Sequence, residues 1–355
     1  MAADPDPEAL RARVDALLLG GERRHTRADV TARSGIPPER THEIWRALGF
    51  PLEGEDERVF TDGDVAALAA GEGFVRAGVI SAESETLMTR ALGQHLSRLA
   101  EWQVHTLMSW LADDGGLPAD EDGFTALVAE LLPRLEAVQN HVWRRHLAAY
   151  AARALAAPDA RQDAGVQAVG FTDMVGYTHL ARSVPESELL ELLDRFESLV
   201  GDVVADHGGR VVKLIGDEAL FTAPDPPAAA ELALTLHERA AAAPDLPPLR
   251  TGLAHGRVLR RFGDVYGPVV NAAARLTSLA RRGTVLTTPE LAEPLAATAG
   301  YSLRALRPVA VRGIPRLRPV VLRRAPSGVP ERAHRARAKS PRTTRSVSGG
   351  PPKEP

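Results

Sequence analysis

Apolar residues recur every three to five positions from Leu87 through Leu92, Leu96, Leu99, Val104, Leu107, Met108 and Leu111. This spacing predicts one face of a long helix, closed by Asp113 to Gly116. A second stretch runs from about Phe124 through Leu127, Leu131, Leu135, Val138, Val142, Leu147 and Leu155, with Pro133 expected to kink or break it. Two long amphipathic helices need a bundle or a partner to cover them. The periodicity then vanishes in APDARQDAG, a polar segment that reads as a linker. Beyond it the period changes: QAVGFT, GRVVKLIGD and EALFTA are short runs rich in β-formers, separated by helical stretches from Glu188 to Asp206 and Pro227 to Ala241. Strands alternating with helices predict an α/β sandwich, a sheet with covering helices.

The pattern therefore divides the chain into a helical domain over 1–158, a linker over 159–165, an α/β domain over 166–324 and a tail over 325–355. The tail sets Arg332, Arg335, Arg337, Lys339, Arg342, Arg345 and Lys353 among Ser, Pro and Gly, and is expected to be disordered. With 355 residues, both domains can bury a core. The net charge of -3, from 43 basic and 46 acidic side chains, leaves no overall field to select nucleic acid or an anionic membrane. There is no cysteine, so disulfides, thiolate metal sites and thiol nucleophiles are excluded. The first residues carry no signal-peptide pattern, and no stretch reaches the roughly 20 apolar residues that span a bilayer. A cytoplasmic protein is expected.

Three segments carry chemistry. In Phe171-Thr-Asp-Met-Val-Gly-Tyr-Thr178 a strand ends at a carboxylate, and a turn containing Gly176 offers backbone N–H groups to a phosphate. In Lys213-Leu-Ile-Gly-Asp217 a buried strand meets a tight turn, and the hairpin tip would set Asp217 beside Asp173. Two carboxylates at one strand end repel unless a cation lies between them, which suits Mg²⁺ or Mn²⁺ serving phosphates; each Asp merely capping a turn is the bland alternative. In Asp264-Val-Tyr-Gly-Pro-Val-Val-Asn271-Ala-Ala-Ala-Arg275 a helix opens near Gly267-Pro268, and Asn271 and Arg275 share one of its faces. An amide one turn from a guanidinium can orient a ribose and neutralise phosphate charge.

Together these segments resemble the catalytic domain of the class III nucleotide cyclases, over about Val166 to Arg324. The resemblance implies a ferredoxin-like βαββαβ catalytic domain behind an all-α regulatory domain, and conversion of ATP to cyclic AMP and pyrophosphate. It implies that Asp173 and Asp217, with the backbone carbonyl of Met174, bind two divalent ions per site. It makes Lys213 and Asp264 the pair that reads the base, which their chemistry matches: Lys only donates, as adenine N1 requires, and a carboxylate only accepts, as the N6 amino group requires. Asn271 then orients the ribose and Arg275 stabilises the charge developing on phosphorus. Where many members have a VKG turn whose Lys contacts the triphosphate, this chain has Val311-Arg312-Gly313; Arg312 keeps the charge but not the geometry. The family's sites are shared between subunits, so a homodimer is implied.

The region from Thr26 to Val65 reads as a helix-turn-helix with a small wing, and resembles the N-terminal module of some soluble mycobacterial-type cyclases. Between Gly21 and Val65 stand seven Arg, no Lys and ten acidic residues, which argues against a phosphate-reading surface and for regulation. The signal, a small molecule or a proton, is not named by the sequence. His95, His105, His141 and His146 lie on the long helices; proton sensing is one reading of them, and ordinary surface or packed histidines is the other.

Overall fold

The computed structural model describes residues 7–51, 54, 56–111, 121–156 and 165–326. Two compact units divide between Ala164 and Gly165. The expected linker, save Gly165, and the expected tail beyond Pro326 lie outside the described residues.

The first unit holds α1 (Pro7–Leu18), α2 (Arg27–Ser34), α3 (Pro38–Leu48), α4 (Asp62–Arg76), α5 (Ala82–Trp110) and α6 (Glu121–Ala156). Helices α2 and α4 start at capping boxes, Thr26 with Asp29 and Thr61 with Asp64, which satisfy N–H groups that have no partner within the helix. Gly35 at φ 71° ends α2 and begins the short turn into α3, so the helix-turn-helix reading matches the backbone. The wing is a single bridge between His25 and Phe60. Val30, Ile36, Ile44, Phe60 and Leu68 form the core of this module.

One face of α3 packs on α5. A Cβ on Gly93 would lie 2.3 Å from the Leu48 carbonyl oxygen, so only glycine permits the approach. Beside it Arg40 donates to Glu43 at 2.6 Å, Thr86 at 2.7 Å and the Ala82 carbonyl at 2.8 Å, and also to Glu85. The expected break at Pro133 does not occur: α6 runs through it. A proline inside a helix removes one hydrogen bond and crowds the preceding turn, and the long flanking runs of helix formers outweigh that local cost. Among the described residues no helix is long and apolar enough to cross a membrane.

The second unit is built on a seven-stranded sheet. It comprises β1 (Val166–Met174), α7 (Tyr177–Leu180), α8 (Glu186–Asp206), β2 (Arg210–Ile215), β3 (Glu218–Ala223), α9 (Pro226–Ala242), β4 (Leu249–Arg257), β5 (Leu259–Arg261), β6 (Asp264–Tyr266), α10 (Pro268–Leu279), β7 (Thr284–Thr287), α11 (Pro289–Leu295), β8 (Tyr301–Ala305), β9 (Val309–Val311), β10 (Ile314–Leu317) and β11 (Val320–Arg324). The sheet order is β2-β3-β1-β4-β7-β11-β8. Its first four strands, with α8 and α9 as crossovers, make the ferredoxin-like βαββαβ core; β7 extends it parallel to β4.

Alternation along β1 separates the two faces of the sheet. Ala168 and Met174 join the core with Phe196 and Val200 of α8 and Leu232 and Leu236 of α9. Val169 and Phe171 point the other way and pack with Ala273 of α10 and Val265 of β6. By the same period Asp173 belongs to the α10 face.

Candidate active site

The hairpin between β2 and β3 turns at Gly216, whose φ of 61° favours glycine. It returns against β1 so that the Met174 amide donates to the Asp217 carbonyl at 3.1 Å. That bond sets Asp217 at the end of the strand carrying Asp173. Burial, a hydrogen bond with Asp173 and repulsion from it push the Asp217 carboxyl up to about 6. The Met174 side chain is sealed in the α8–α9 core, which leaves its backbone as the part able to serve a ligand.

Two further charged residues complete this end of the sheet, and the motif reading missed both. Glu218 and Arg250 stand directly opposite Asp173 on β3 and β4. Arg250 donates from Nε to Asp173 at 2.6 Å and from Nη2 to the same oxygen. Burial first, then Asp173 and Asp217, raise the Glu218 carboxyl above its usual range. The available signal was a charge inside the otherwise apolar or small run Leu249-Arg-Thr-Gly-Leu-Ala254. Its partner is 77 residues distant in the chain, and only strand pairing reveals it.

Three carboxyl groups thus gather about one guanidinium. Among the described residues no three acidic or histidine side chains form a ready-made metal cage. The donors nevertheless fit Mg²⁺ or Mn²⁺: they are hard oxygens, they lack positive charge, and such ions take one or two carboxylates with substrate phosphates and water as the remaining ligands.

Lys213 on β2 donates to Asp264 on β6 at 2.6 Å, and the Val265 amide donates to the other carboxylate oxygen at 2.7 Å. Burial alone would raise Asp264, but Lys213 and the Val265 amide hold it below its usual range. The two residues expected to read a base are therefore already side by side.

Asn271 and Arg275 ride on α10, which is seated unusually close to the sheet. A Cβ on Gly252 would lie 2.3 Å from the Ala273 carbonyl oxygen and the Thr277 amide nitrogen. Thr277 donates to the Phe171 carbonyl at 3.2 Å, tying α10 to the strand that ends at Asp173. Asn271 is exposed and Arg275 partly so. Among the described residues the Arg275 guanidinium has no hydrogen-bond or ion-pair partner. Arg312 is exposed at the tip of the separate β9–β10 hairpin, likewise without one. Gly176, at φ 90°, caps the short α7 just after Asp173. The structure thus joins Asp173 with Asp217 and Lys213 with Asp264, and links neither pair to Asn271, Arg275 or Arg312 by a hydrogen bond.

Residues 161–323 match the adenylate and guanylate cyclase catalytic domain. An adenylate cyclase of Streptomyces coelicolor is 41% identical over 300 residues, spanning 84% of this chain and 78% of that protein. One from Glutamicibacter nicotianae is 37% identical over 328 residues, spanning 86% and 81%. Among solved structures, the adenylyl cyclase CyaB from P. aeruginosa aligns with 46% of this chain and 97% of its own, at 18% identity and a TM-score of 0.40.

Proposed function

The chain belongs to the class III adenylate and guanylate cyclases and is an adenylate cyclase, and from that premise we propose that it works as a homodimer whose two active sites are each shared between subunits. Asp173 and Asp217, with the Met174 carbonyl, hold the divalent ions of one half-site. When bound, a pair of such ions neutralises the triphosphate and favours ionisation of the ribose 3′-hydroxyl. Arg250 offers a planar, forked donor that suits phosphate oxygens as well as the carboxylate it now holds. The amides of the turn at Gly176 lie next to the metal carboxylate and can support the phosphates.

Lys213 donates to adenine N1 and Asp264 accepts from the N6 amino group. Guanine presents a donor at N1 and an acceptor at O6, which leaves both residues facing their own kind, so GTP is disfavoured. Asn271 orients the ribose, and Arg275 stabilises the negative charge that grows on the transferring phosphorus as pyrophosphate leaves. Arg312 would add charge near the triphosphate.

The observation that carries the shared site is the Arg275 guanidinium, left without a partner among the described residues of its own chain although helix α10 is fixed rigidly to the sheet. A charge so placed awaits an anion from outside the subunit. The N-terminal unit is read as the regulator, responding to a small molecule or a proton. DNA is disfavoured because α3 carries Glu39 and Glu43 and lays one face on α5. A cytoplasmic location fits these roles.

Turnover of ATP and GTP by the full chain with Mn²⁺ or Mg²⁺ tests the reading. Cyclic AMP should form from ATP in preference to cyclic GMP from GTP. Arg275→Ala and Asp217→Asn should each lose activity by on the order of a hundredfold or more. Mixed in equal amounts they should recover about a quarter of it, because half the dimers are mixed and each holds one intact site. No recovery on mixing would overturn the shared site.

A further inference from the structure

The net charge of -3 combines two unlike parts. Residues 1–164 carry 27 acidic and 17 basic side chains, net -10, whereas residues 165–355 carry 26 basic and 19 acidic, net +7. The basic excess is concentrated further: from Pro294 to Pro330 the chain has seven arginines and no acidic residue. Two of the seven are accounted for. Arg312 belongs to the site proposed above, and Arg324 donates to Glu231 of α9 at 2.8 Å and also to Glu238. The other five, Arg304, Arg307, Arg316, Arg318 and Arg323, are exposed, and among the described residues none has a hydrogen-bond or ion-pair partner.

The fold gathers these five on one side of the sheet. In the β8–β11 ladder Arg304 stands opposite Val321, and Arg323 opposite Ser302. Val321 packs with Leu276 of α10 and Leu286 of β7, so by the period of two Arg304 and Arg323 share the α10 face. Arg324, the next residue, takes the α9 face, where carboxylates meet it. The β9–β10 hairpin lays Val311, Ile314 and Leu317 on the same cluster as Val321. Leu317 is buried between Arg316 and Arg318, which leaves those two on the hairpin's outer surface. The Leu306 amide donates to the Pro319 carbonyl at 2.8 Å and so brings the backbones of Arg307 and Arg318 together at the base of the hairpin. Like charges gathered without counter-ions repel, and a surface built for solubility alone would intersperse both signs.

We propose that this arginine face docks the catalytic unit peripherally on a bilayer surface rich in anionic phospholipid. The chain's overall charge is no guide to so local a field. The residues between the arginines choose among polyanions. Pro308, Val309, Ala310 and Pro315 of the same hairpin are exposed, Val309 at 38%. Reading or stacking on bases calls for amide side chains or aromatic rings, and none stands between Arg307 and Arg318. A bilayer interface accepts what is there: phosphate-bearing headgroups meet the guanidinium groups, and small apolar side chains enter the headgroup layer between them. The proposal draws nothing from the shared catalytic site.

The test is co-sedimentation of the full chain with vesicles of phosphatidylcholine alone, or of equal parts phosphatidylcholine and phosphatidylglycerol. The chain should bind the anionic vesicles only, and lose them as salt is raised. Arg304→Gln/Arg316→Gln/Arg318→Gln should weaken vesicle binding by on the order of a hundredfold, at roughly fivefold per charge near the surface. Its turnover of ATP without vesicles should match that of the unmodified chain, which reports that it folds. In the unmodified chain, hydrogen exchange over 307–318 should slow when anionic vesicles are added, a readout that needs no variant. Vesicle binding unchanged in the triple variant would assign lipid affinity to the basic residues beyond 326 and overturn the proposal. So would exchange over 307–318 that ignores the vesicles, or duplex DNA bound more tightly than the vesicles at the same salt and lost in the same variant.

Discussion

Both units bury charge, and they do it in opposite ways. In the N-terminal unit Arg40 reaches Glu43 and Glu85 together, with Thr86 donating to Glu43 at 2.9 Å. Burial disfavours the Arg40 charge, yet the two carboxylates raise it above its usual range, while Arg40 and Thr86 hold Glu43 low. In the catalytic unit Arg250 hydrogen-bonds Asp173 alone, and Asp217 and Glu218 are both pushed up despite its nearby charge. The first cluster is satisfied within the fold and fastens α3 to α5. The second is short of positive charge, the imbalance that the proposed binding of divalent ions and substrate would relieve. Residue types alone do not distinguish the two; the balance of partners does.

Substitutions can break this contrast, beginning with the largest effect. Asp217→Asn should abolish measurable cyclisation while leaving the melting temperature equal or higher, since it removes a carboxylate held in an unfavourable place. The unmodified Asp217 is raised in the folded state, so it takes stability away as pH rises from about 4 through about 6. That decline should be missing from thermal melts of Asp217→Asn measured across this range. A lower melting temperature in the variant would show the pair to be structural.

Glu85→Ala should do the reverse. It strips Arg40 of a partner in a site where Glu85 is only 5% exposed, at a cost of roughly 3 kcal/mol in the N-terminal unit, read by chemical denaturation. The catalytic residues are untouched. A loss below about 0.5 kcal/mol would mean that Glu43 alone balances Arg40.

His237 offers the smallest and most specific effect. Burial on α9 lowers its imidazole to about 4. It lies 2.9 Å from the Thr251 hydroxyl, which is itself hydrogen-bonded to the Thr172 hydroxyl. Because the folded value is depressed, stability present above about 6.5 is lost as pH falls towards 4. His237→Gln keeps a donor without the titration and should recover about 2 kcal/mol of that loss at pH 5, measured as the difference in unfolding free energy between pH 7 and pH 5. An acid limb as steep as in the unmodified chain would assign it to other groups.

Much of this molecule was legible along the chain. The periodicity of 3.6 marked α5 and α6, and the change to short β-rich runs marked the start of the catalytic unit, because burial on one face imposes those periods whatever the neighbours are. Asp173, Asp217, Lys213, Asp264, Asn271 and Arg275 stood out because each sits in a local motif: a strand end, a hairpin tip or one helix face. Pro133 did not break α6, since its local penalty is real but is outweighed by the helix on either side. Arg250 and Glu218 were not legible, for they acquire meaning only when β3 and β4 flank β1 and bring their charges against Asp173. Gly93 and Gly252 were equally silent, as nothing in a glycine's sequence neighbours announces which backbone will approach within 2.3 Å of an added Cβ. Local sequence determined the elements and the chemical types at their ends, because propensity and periodicity act over a few residues. Tertiary structure decided which charges are paired and which are left wanting, because electrostatic balance depends on distances between segments that the chain order does not contain.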